Sequence, residues 1–134
     1  MSEILSICSN QSDRKLIFSD FDGERFKVSL EGVIETSISV YGYAPHSENL
    51  SEWFKALGAL GKPWENELRW SSLEIEFEIS ATCSNLGEVC FHIQIWHSAG
   101  SNEESKIETY IISELGQLKN IGNEAKKFFK NKNT

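Results

Sequence analysis

The chain has 134 residues, a length that favours one domain around one hydrophobic core over two halves each too small to fold. With 40% apolar residues, 8 Phe, 4 Trp and only 2 Pro it has the composition of a packed globular domain and not of a disordered or linker-rich chain. A formal charge of −7 repels phosphate backbones and attracts basic partners, which argues against direct nucleic-acid binding.

The N-terminal segment Met1 to Cys8 carries no basic leader, and its apolar run is too short for a signal peptide or a membrane span, so a cytoplasmic protein is expected. The first third reads as a meander of antiparallel strands. Leu16 and Phe18, then Phe26, Val28 and Leu30, then Ile34, Ile38 and Val40 recur at period two, and Asp22-Gly23 and Glu31-Gly32 supply turns.

After Pro45 the period changes, and Leu50, Trp53, Phe54, Leu57 and Leu60 fall on one side of a helix. Asn49 or Ser47 serves as N-cap, Glu52 stands where a capping box needs it, and Pro63 closes the segment. From Leu73 to Ile79, Leu73, Ile75, Phe77 and Ile79 alternate with Glu74, Glu76 and Glu78, which predicts a strand with one core face and one acidic face. Ser84 to Gly87 turns the chain into Val89, Phe91, Ile93 and Ile95, with Cys90, His92, Gln94 and Trp96 on the opposite face. A hairpin closing around Asn85 would pair Glu78 with His92, Glu76 with Gln94 and Glu74 with Trp96.

A further strand, Lys106 to Ser113, is built around Ile107, Tyr110, Ile111 and Ile112. The last helix buries Leu118, Ile121, Ala125, Phe128 and Phe129, with Lys126, Lys127, Lys130 and Lys132 at its negative end. The expected fold is α+β, a single domain over residues 1–134 with a polar tail from about 131. An antiparallel β-sheet of about five to seven strands should carry the two α-helices packed on one face.

Chemistry is sparsely signalled. Cys8, Cys83 and Cys90 match neither a zinc site nor a redox pair and read as structural thiols, Cys83 and Cys90 pointing to opposite faces of the hairpin. His46, His92 and His97 lack metal-ligand spacing, so neither metal nor cofactor is expected. No nucleophile elbow or phosphate loop occurs, and the protein is not expected to be an enzyme. The binding candidates are Glu74, Glu76, Glu78, His92, Gln94 and Trp96 on the polar face, with Trp64 and Trp70 flanking a charged turn and forming a lip over the sheet. Trp53 belongs to the helix's core side.

Several pieces in order resemble a family of small bacterial domains of unknown function encoded near polymorphic toxin and contact-dependent inhibition loci. They are Phe26-x-Val28-x-Leu30, Leu50-x-x-Trp53-Phe54, Trp64, Trp70, Gly87-x-Val89, Trp96, Leu115-Gly116-Gln117-Leu118 and Phe128-Phe129. Glu88 stands where relatives carry histidine, so no role attached to that histidine passes to this chain. The resemblance implies an immunity protein, with a cognate toxin domain as partner and a basic nuclease as the toxin best suited to an acidic inhibitor. An alternative of another class is a small ligand-binding domain or enzyme using Glu78 and His92 in a cleft. A third is an interaction module unrelated to toxins.

Overall fold

A computed structural model describes residues 3–32, 34–41 and 49–130. Ser47, His46 and the expected tail from about 131 lie outside them. The chain is α+β with two antiparallel four-stranded sheets and two helices, where one larger sheet was expected.

The first sheet is a meander of β1 (Leu5–Cys8), β2 (Lys15–Ser19), β3 (Arg25–Glu31) and β4 (Thr36–Tyr41). Strand β1 escapes the sequence reading because only Leu5 and Ile7 face inward, too short a pattern to separate from a frayed terminus. Ile34 lies before β4 and is exposed, while Ile38 and Val40 keep the expected parity. The second sheet is β5 (Leu68–Ser71), β6 (Phe77–Cys83), β7 (Glu88–His97) and β8 (Ser105–Glu114), again in sequence order. The two sheets and both helices share one core. Phe18 of β2 sits at its centre, with ring contacts to Phe26, Phe54, Phe77 and Phe128 at 5.6 to 6.4 Å. Thr36 Oγ1 and His97 Nε2, 2.7 Å apart, join the sheets at one side.

Helix α1 runs Leu50–Gly58 and α2 Leu118–Phe129, the latter with the bounds its apolar spacing predicts. Asn49 is the N-cap of α1, and its N–H donates to Glu52 Oε1 at 3.2 Å. The helices run antiparallel, and each has a glycine where they meet. A Cβ on Gly58 would stand 3.0 Å from Gly122 Cα, and one on Gly122 the same distance from Gly58 Cα, so no larger residue fits without a shift. The helices therefore pack closely on each other as well as on the shared core.

Residues 72–76 are a tight turn between β5 and β6, and the predicted strand starts only at Phe77. Ser72 is buried, and its hydroxyl accepts the N–H groups of Glu76 and Phe77 at 3.0 and 3.1 Å and donates to the Glu76 carboxylate. The turn is needed because Leu68 and Arg69, read from sequence as the end of a charged turn, form with Trp70 and Ser71 a strand that must reverse to pair with β6. Leu73 and Ile75, expected in the core, are 52% and 56% exposed.

Candidate functional site

The inner side of the second sheet packs into the shared core, and its outer face carries the polar side chains. Even-numbered residues of β6, β7 and β8 and the odd-numbered Arg69 and Ser71 of β5 share that face by register. The observed pairing sets Glu78 opposite Gln94 and Ser80 opposite His92, a shift of two residues from the expected register. An even shift preserves which face each residue occupies, so Phe77, Ile79, Phe91, Ile93 and Ile95 still point to the core. The expected Glu78–His92, Glu76–Gln94 and Glu74–Trp96 side-chain pairs do not form. Glu74 and Glu76 belong to the turn, and it is the Glu76 carbonyl that accepts the Trp96 N–H, at 3.0 Å.

A polar network crosses all four strands. Arg69 binds Glu67 at 2.6 Å and Glu78 at 3.0 Å. With its amide oriented to satisfy both ends, Gln94 donates to Glu78 Oε1 at 3.3 Å and accepts from Lys106 Nζ at 2.8 Å. Lys106 also lies over the Trp96 ring, 5.3 Å from its centroid. Beside this row His92 bonds the Glu108 carboxylate and stacks on Tyr110, ring centroids 4.6 Å apart and planes within 9°. Glu88 and Glu114 stand directly opposite each other at the far end, an arrangement of like charges that disfavours the isolated sheet. Gln11 Nε2 donates to Glu88 Oε2 at 3.1 Å and takes up part of that charge.

Of the residues singled out from sequence, Glu78, His92, Gln94 and Trp96 come together here. Trp64 is partly buried against the core, and Trp70, only 4% exposed, packs on Phe77 and forms no lip. Arg69, Lys106, Glu108 and Tyr110 were missed. Tyr110 and Ile112 were read only as part of the strand's apolar run, and strict alternation from Ile111 sends both outward, with Tyr110 50% exposed.

Ser80, His92 and Glu108 share this face, yet Ser80 is 4% exposed in mid-strand, so its hydroxyl is not offered to a substrate as a seryl nucleophile must be. Burial, reinforced by the Glu88 carboxylate, pushes the Cys90 thiol up from its ordinary value, which keeps it protonated and poorly nucleophilic. Cys8, expected as a buried filler, is exposed, while Cys83 and Cys90 are half-buried on opposite faces. Among the described residues, no three His, Cys, Asp or Glu side chains converge as metal ligands, and no helix is long and apolar enough to cross a membrane.

These features define a small α+β domain with a polar, aromatic sheet face open to solvent. The chain belongs to the DUF6228 family, a family of unknown function, whose model matches residues 7–132. No curated protein and no solved structure matches it.

Proposed function

We propose that the protein is an immunity protein that binds a cognate bacterial toxin domain stoichiometrically in the cytoplasm, with the outer face of the second sheet as its contact surface. A basic nuclease domain is the partner that its charge fits best. The observation that carries this reading is the Ser72–Glu76 turn. It holds the large apolar side chains of Leu73 and Ile75 in solvent, and Ile75 adopts φ +58°, a left-handed conformation that a β-branched residue avoids. An ordered turn that keeps such a residue, with its apolar side chain outward, is organised for something other than stability. The acidic row around Glu78 and Glu108 then steers a basic partner, while Ile75, Leu73, Trp96 and Tyr110 supply desolvated anchors.

The sheet face is open and not a cleft, and Glu78 bonds Arg69 while His92 bonds Glu108; both points favour binding over the reading in which Glu78 and His92 act together on a small substrate. The test is affinity for the toxin domain encoded by the adjacent upstream gene. Trp96→Ala should cost about 2 kcal/mol of binding as an anchor residue. Glu108→Lys should slow association chiefly at low salt. Unchanged affinity in both variants would place the contact elsewhere.

A further inference from the structure

The helix pair carries a second feature, on the side of the molecule away from its core. Between α1 and α2 lies a groove of about 550 Å³, a volume in the range of small-molecule sites. Its floor is the Gly58–Gly122 crossing, where the backbones approach too closely for any side chain to fill the space. Its walls carry Lys55 from α1 and Lys119, Lys126 and Lys130 from the α2 side, against one carboxylate, Glu52. In a chain of net charge −7 with 13 cationic residues, four of them gathered around one concavity form a local field opposite to that of the whole. Phe129 and the lysine stems add apolar wall.

Lysines in the last turns of both helices, Lys55 in α1 and Lys126 in α2, also complement the dipoles, but that does not explain Lys119 in the first turn of α2, where a cation is disfavoured. We infer that this groove is a binding site for a small organic anion bearing several phosphate charges, its phosphates held by the lysines of both helices and its organic part against Phe129. Lysine acts as a mobile point charge suited to phosphate oxygens, and a concave floor favours a compact ligand over a flat protein surface. The site is separate from the sheet face, so it stands or falls independently of the toxin-binding reading.

The test is calorimetric titration of the full chain with adenosine triphosphate, inorganic pyrophosphate and adenosine at about 50 mM and 200 mM salt. The triphosphate should bind in the micromolar range, pyrophosphate more weakly and adenosine not at all, with affinity falling as salt rises. Lys119→Glu with Lys126→Glu should weaken the triphosphate at least tenfold while the thermal midpoint stays close to that of the parent. Should that pair unfold the chain, Lys119→Gln and Lys126→Gln singly should each weaken it severalfold. No heat up to millimolar ligand, or undiminished binding by the variants, would overturn the inference. So would concentration-dependent self-association abolished by the same variants, because the groove would then hold the acidic face of a second copy.

Discussion

At the scale of single residues, Ile75 is the most informative position. A left-handed φ costs an ordinary residue roughly 1–2 kcal/mol, and glycine escapes that cost while losing about 0.5–1 kcal/mol in chain entropy. Ile75→Gly should therefore leave stability unchanged or raise it by up to ~1 kcal/mol in chemical denaturation, since its side chain lies outside the core. On the proposed immunity reading, the same variant should bind its partner domain more weakly. A loss of stability above ~1 kcal/mol would mean that Ile75 is held for packing and not for contact. The cysteines give a second residue-scale test. Cys8 is exposed, whereas burial and Glu88 raise the Cys90 thiol, so less of Cys90 is thiolate at any given pH. Alkylation followed by mass spectrometry near pH 8 should label Cys8 well before Cys90, and the Cys90 rate should keep rising with pH above the ordinary thiol range. Equal labelling of both would contradict that environment.

At the scale of elements, the helix crossing and the hairpin make opposite demands on substitution. Alanine in a helix is ordinarily better than glycine by about 1 kcal/mol, so propensity alone predicts that Gly122→Ala stabilises the chain. The added Cβ would stand 3.0 Å from Gly58 Cα and 3.4 Å from the Phe54 carbonyl oxygen, both backbone atoms, and overpacking of this kind costs roughly 1–3 kcal/mol. A lowered thermal midpoint is expected, and a raised one would show that the helices separate easily. In the hairpin, Phe77 is fully buried between Phe18 and Trp70, and Phe77→Ala should cost ~3–5 kcal/mol through the cavity it leaves.

The elements also show what was legible in the residues. Helix α2 could be read to its ends because five apolar residues at helical spacing leave no other solution, and β7 because its alternation runs for the whole strand. Leu73 to Ile79 misled because alternation records which side chains are apolar, and not where backbone hydrogen bonds go. The Ser72 hydroxyl caps a turn that interrupts the pattern without changing its parity. The candidate face was half legible for the same reason. Parity placed Glu78, His92, Gln94 and Trp96 together, whereas Arg69 and Glu108 come from strands whose register no local pattern sets.

For the whole molecule, two surfaces stand apart in composition, a sheet face on which carboxylates pair with Arg69 and His92 beside aromatic rings, and a lysine-lined groove between the helices. The two have no lining residue in common, and changes at sites without shared partners combine additively. The sheet face is proposed to hold one partner domain in a stoichiometric complex. The measurement that reaches the proposal most directly starts from a toxin domain identified in a neighbouring gene, whose activity is titrated with the purified protein. A tight binding protein predicts a linear fall in activity that reaches zero at one molar equivalent, with Ile75→Gly and Trp96→Ala displacing the end point or blunting it. Persisting activity at a tenfold molar excess, or loss of activity at a small fraction of an equivalent as an enzyme acting on the toxin would produce, would contradict it.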